Sequence, residues 1–255
     1  MTTLPDRPEE RRIIIVRSPQ DYEQVDFEET SEVTRNGDVA FVSSQPERSA
    51  GQLVLDLQRR GLLEAGAVLV QNPFNPLSYF RIDDAEDQIG IRKSHLIVQL
   101  CQVLGASKVS VISARDEKHN LEMRVEAGLV VPRGSLKGEG NRKRLESFVA
   151  SASIIDELTG SAAPDIETAR DLLERAGLDD DIALHQLVVA RAHPTNTLRK
   201  RTVKVNMTQE ASRTIDAVIE ARHLLAKAGG KFRSSEVRRT SVTFTYEIEF
   251  GADVS

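Results

Sequence analysis

The clearest pattern in the chain lies near its end, where Val242, Phe244, Tyr246, Ile248 and Phe250 alternate with Thr243, Thr245, Glu247 and Glu249. Successive side chains of a strand point to opposite faces, so this alternation predicts a long strand with one dry face and one wet face. Val203, Val205 and Met207 repeat the pattern, as do Leu121, Met123, Val125, Ala127 and Leu129. Val109 and Val111 open a further strand, separated from the Leu121 run by polar residues 113–120. That polar middle fits a hairpin turning near 116–119 or one long bent strand.

Unbroken apolar runs read differently. Ile13 to Val16 and Val39 to Val42 predict two strands buried on both faces, with a strong turn signal in Asn36-Gly37-Asp38. Another strand is expected over 67–71. It is followed by Asn72-Pro73-Phe74-Asn75-Pro76, where two fixed φ angles predict a rigid turn offering Asn72, Asn75 and Tyr79 as polar groups.

Helical spacing takes over elsewhere. Leu53, Leu57, Leu62 and Leu63 suit a short helix closing at Gly61 or Gly66, and residues 95–104 suit a buried helix ending at Gly105. Leu145, Phe148, Val149, Ala152, Ile155 and Leu158 share one helical face, and Ile166, Ala169, Leu172, Leu173 and Ala176 another. Asp165 and Asp179 are the expected N-caps, with Gly160 and Gly177 as stops. A third helix runs from Asp180 to the His193-Pro194 break, and a fourth follows Thr208 and ends at Gly229-Gly230.

Residues 67–129 and 202–251 follow the same order of strand, amphipathic helix, glycine stop, polar middle and long alternating strand. At an offset of 123 residues, Lys108 falls on Lys231 and Val125 on Ile248. The expected fold is therefore α+β: a mixed, mainly antiparallel sheet built from two strand-helix-strand halves, with a three-helix insertion. The expected divisions are a flexible tail at 1–12, an N-terminal half at 13–132, the insertion at 133–196 and a C-terminal half at 197–255.

Composition narrows the function classes. Hydrophobic residues make up 40% of the 255, which supports a globular core rather than a disordered chain. With no Trp and 4% aromatics, that core is aliphatic. The longest apolar runs fall far short of the roughly 20 residues that cross a bilayer. The outward Glu122, Arg124, Glu126, Glu247 and Glu249 argue against membrane-inserting hairpins. Residues 1–12 lack the features of a secretion signal, so a cytoplasmic location is expected. The single cysteine, Cys101, permits no intramolecular disulfide and reads as a core residue.

The five histidines show no metal-ligand spacing, and no nucleophile elbow, phosphate loop or dinucleotide fingerprint is present. Three basic clusters stand out on a chain of net charge -5. The first surrounds Arg142, Lys143 and Arg144 beside a glycine-rich loop at a helix start, a place suited to phosphate. The second holds Arg199, Lys200, Arg201 and Lys204, and the third Lys231, Arg233, Arg238 and Arg239. The helix pair over 166–192 has a helix-turn-helix outline, but its net acidic charge would repel DNA and points to packing or protein contact.

The leading expectation is thus a non-catalytic binding or assembly component. It contacts nucleic acid or another anionic partner through basic loops, joins a protein partner or homo-oligomer, touches no membrane, and needs no cofactor. The alternative is a metal-dependent nuclease or phosphoesterase. Asp87, Asp116 and Lys118 would then hold Mg²⁺ and activate water, helped by Asp83, Asp84 and Glu86.

Overall fold

A computed structural model describes residues 4–23, 38–47, 49–126, 128–133, 139–153, 155–161, 163–193, 198–227 and 240–251, with 220–227 as backbone. The chain divides into two compact units, residues 1–88 with 210–239 and residues 89–209 with 240–255. The α+β class stands as expected. The strands, however, form two sheets of four and six strands instead of one mixed sheet. The apolar runs explain the division, since strands dry on both faces do not continue a sheet whose outer face is wet.

In the first unit the sheet order is β2-β1-β3-β4, built from β1 (Ile13–Arg17), β2 (Val39–Ser43), β3 (Val68–Asn72) and β4 (Asn75–Arg81). The first two strands pair in parallel, Ile13 opposite Val39 and Val16 opposite Val42. The turn signal before Asp38 therefore does not join them as a hairpin, because parallel neighbours need a crossover. Asn36 and Gly37 themselves lie outside the described residues. β3 runs antiparallel to both β1 and β4. A short helix, α1 (Pro19–Glu23), follows β1, and α2 (Gln52–Arg59) precedes β3.

Ile14, Val16, Val42, Val54, Leu57, Leu63, Leu69 and Tyr79 form one core cluster in which α2 meets the sheet. The opposite side chains, Ile13, Ile15, Phe41, Val68 and Val70, are buried as well. The stretch expected as a loose tail packs from Leu4 onward. Leu4 sits against the core cluster, residues Pro8–Arg11 form a 3₁₀ turn, and buried Arg11 donates to the Pro5 carbonyl. Gln71 bonds the segment twice more, through Pro8 O and Arg12 O.

The helix α3 (Ile82–Val103) starts well before the expected position and carries the acidic residues 83–87 in its first turns. It stops at Gly105, whose φ of +80° is a left-handed conformation. A Cβ there would meet the Ser161 carbonyl oxygen at 2.3 Å, so glycine is required twice over.

The second unit contains the sheet β7-β6-β5-β10-β9, formed by β5 (Ala106–Asp116), β6 (Leu121–Glu126), β7 (Leu129–Arg133), β9 (Lys200–Asn206) and β10 (Val242–Phe250). A three-residue strand, β8 (Ile155–Glu157), pairs with β5. Every pair is antiparallel. The polar middle after β5 is a hairpin turn and not a bent strand, with Asn120 at φ 51° completing it. β10 buries Val242, Phe244, Tyr246, Ile248 and Phe250 and leaves the residues between them part-exposed. Flanked by β5 and β9, it is interior to the sheet and offers no edge to another chain.

Between β7 and β9 lie α4 (Glu139–Ala152), α5 (Ile166–Arg175) and α6 (Ile182–Ala192). Leu145, Phe148, Val149 and Ala152 are buried on α4, but Ile155 has left the helix for β8 and is 44% exposed. Asp165 caps α5 through Thr168 N, as expected. The cap of α6 is Asp181, not Asp179, because its carboxylate receives the amides of Ala183 and Leu184. The last helix, α7 (Gln209–Lys227), joins β9 to the residues before β10. Among the described residues no helix is long and apolar enough to cross a membrane. Gly229, Gly230 and 231–239, the second half's counterpart to 108–116 in the repeat, lie outside the described residues.

Candidate binding edge

Asp116 ends β5 almost fully buried, and its carboxylate organises the hairpin that follows. One oxygen accepts the amides of Lys118 and His119, and the other lies 2.7 Å from His119 Nδ1. This is the arrangement of a turn held by its own aspartate. Lys118 is exposed, and Asp87 sits half-buried on the part of α3 that belongs to the first unit. Asp116 and Lys118 therefore meet in one turn, while Asp87 belongs to the other unit. Among the described residues no group of three His, Cys, Asp or Glu is placed to hold a metal ion.

The second unit also contains polar groups that the sequence pattern did not single out. Lys93, on α3, is fully buried; its Nζ lies 3.0 Å from Asp181 Oδ2 and donates to Asn206 O at 2.8 Å. One buried charge thus joins α3, the cap of α6 and the end of β9. The neighbouring Ser94 hydroxyl donates to Ala152 O at 2.7 Å and lies 3.0 Å from the Tyr246 hydroxyl, which also reaches Met207 Sδ at 3.6 Å. Burial pushes the Tyr246 hydroxyl well above its ordinary value. Burial likewise pushes the Cys101 thiol up to about 12, as a core cysteine requires. Arg191 donates to Leu104 O and Ser161 O, lies 4.3 Å from the Phe250 ring centroid, and is lowered by burial. Arg191 follows the apolar residues 187–190 in the sequence, where a lone cation at a core position is the only warning; Lys93, between Arg92 and Ser94, gives none.

In the first unit, the proline turn is the β3–β4 hairpin. Asn72 and Asn75 accept the amides of Phe74 and Leu77, and the buried Tyr79 hydroxyl donates to Arg11 O. Those polar groups serve the turn and the core.

The expected cation sites separate on inspection. Lys143 pairs with Glu139 at 2.7 Å, one helical turn back. Arg142 and Arg144 are half-buried on α4, the Arg142 Nε being buried without a partner, and residues 134–138 of the glycine-rich loop lie outside the described set, as does the third cluster. Arg133 pairs with Glu122. On β9, Lys200 reaches Glu247 at 2.7 Å and Glu249 at 3.4 Å, and these bonds raise its pKa. Arg201 donates to Gln186 O of α6 at 3.1 Å. Arg199 and Lys204 are exposed and, among the described residues, pair with no carboxylate.

The sheet edges differ in what they offer; β8 is one of them, but is only three residues long. β2 is buried along its whole length, β4 carries Pro76 in its exposed half, and β7 carries Pro132. Proline has no N–H for a neighbouring strand. β9 has no proline, so each of its seven residues keeps both backbone groups. Its outward side chains Lys200, Thr202 and Lys204 stand opposite Glu249, Glu247 and Thr245 of β10. α6 exposes Ile182 at 72% and Val189 at 52%, seven residues apart on the face opposite its buried Leu184, Leu187 and Val188. Comparison with protein-family models, curated proteins and solved structures finds no match to this chain, so its edge is read from its own geometry.

Proposed function

We propose that this chain is a non-catalytic binding component that engages an anionic partner through the β9 edge of its second sheet. One observation carries the reading. The buried polar groups that resemble chemical machinery are engaged in internal hydrogen bonds, whereas Arg199, just before β9, and Lys204, on it, are exposed at the sheet edge and pair with no carboxylate among the described residues. Exposed cations on a flat edge attract polyanions and weaken with added salt. The reading keeps a cytoplasmic location and moves the contact from the α4 loop to β9, because Lys143 already holds Glu139.

The test is fluorescence anisotropy of labelled poly-glutamate and of a labelled single-stranded oligonucleotide, at low and raised salt, with Mg²⁺ present. The expected result is salt-sensitive binding of at least one of them, weakened in R199E/K204E, with both probes intact afterwards. No binding at low salt would overturn the reading, as would Mg²⁺-dependent cleavage of the oligonucleotide.

A further inference from the structure

We infer that the partner of the β9 edge is an extended peptide that alternates acidic and apolar residues and adds to the sheet as a further strand beside β9. This rests on the anionic-partner reading above and names the class of partner. Three features of the edge support it.

The first is the backbone. β9 is the longest proline-free exposed edge among the described strands, the other being the three-residue β8, and its alternate residues turn their N–H and C=O away from β10 toward an incoming strand. Strand addition draws its affinity from such main-chain bonds and its specificity from alternate side chains. Nucleic acid would use only the N–H groups of that row, through phosphate oxygens, and the edge shows no aromatic residue on which bases would stack.

The second is charge. The outer face of the added strand would meet Lys200 and Lys204, so acidic residues at every second position are the complementary choice. β10 already shows this chemistry on the paired side, where Glu247 and Glu249 both reach Lys200. Lys204, with Thr245 opposite it and no carboxylate, is left to a partner.

The third is apolar. The inner face of β9 buries Val203 and Val205, and Arg201 ties the strand to the Gln186 carbonyl of α6. Inward-pointing apolar residues of an added strand would continue the row of Val203 and Val205.

The experiment compares two labelled peptides of β9's length and of identical composition, one alternating glutamate and valine, the other with its glutamates blocked together. Both carry the same charge, so only strand register separates them. The alternating peptide is expected to bind about five- to tenfold more tightly, since each cross-strand pair contributes up to about 1 kcal/mol. K204E, at an exposed position and checked for an unchanged thermal midpoint, should remove much of that preference. Equal binding of the two peptides overturns the strand-addition proposal while the anionic-partner reading survives. Binding of neither peptide, with the oligonucleotide still bound, overturns it in favour of nucleic acid. Failure of every polyanion removes both readings.

Discussion

The two sheets solve different problems with similar residues. In the first unit, β1 and β2 are buried on both faces, and their side chains are an unbroken apolar run paired in parallel. In the second, β10 alternates buried with part-exposed residues, and its neighbours repeat the pattern. A sheet dry on both sides has no room for polar display, so the first unit contributes core. A sheet wet on one side must choose what to show, and the second shows paired charges across most of its face. At the β9 edge the exposed Arg199 and Lys204 meet no carboxylate among the described residues.

The largest test of that contrast is truncation at the two kinds of strand. Ile14→Ala in the first sheet removes a side chain with no exposed surface and should cost about 4 kcal/mol in urea unfolding. Thr245→Ala on the outer face of β10 should cost under about 0.5 kcal/mol, as exposed substitutions usually do. Similar losses at both positions would mean that the outer face of the second sheet is covered.

A second test compares buried and exposed cations within the second unit. Lys93→Met leaves the Asp181 carboxylate, only 13% exposed, without its cation and should cost about 3 kcal/mol. Lys204→Met should change stability by less than about 0.5 kcal/mol while weakening polyanion binding. A neutral Lys93→Met would show that the ion pair does not hold α3 to the α6 cap.

A smaller effect appears at alkaline pH. Burial raises the Cys101 thiol from 9.0 to about 12 and raises the Tyr246 and Tyr79 hydroxyls above 10.0. The unfolded chain releases these protons first, so stability present below pH 9 should fall as pH climbs toward 12. Cys101→Val should remove the part of the loss that begins near pH 9 and leave the tyrosine part, which begins near pH 10. Urea midpoints measured across pH 8 to 12 would check both parts.

Period-2 and helical patterns made much of the fold legible, including β10, the end of α3 at Gly105 and the Asp165 cap. Pairing was less legible. Nothing in Ile13 to Val16 or Val39 to Val42 encodes parallel over antiparallel, because both arrangements bury the same side chains. Ile155 matched a helical face by spacing, yet three residues beyond Ala152 it pairs with Ser110 on β5. Tertiary pairing outweighed its local period. The candidate edge was half legible: the Arg199–Lys204 cluster is visible as charge, but which of its cations meet a carboxylate depends on β10, which lies far along the chain. The weight given to Arg142 and Lys143 has the same origin, since sequence shows charge without its neighbours.

The most direct measurement is amide hydrogen exchange of the whole protein with and without the alternating glutamate–valine peptide. The account predicts added protection along residues 200–206, with 129–133 unchanged. Protection confined to β7, or spread over the α4 start with β9 unaffected, would contradict it.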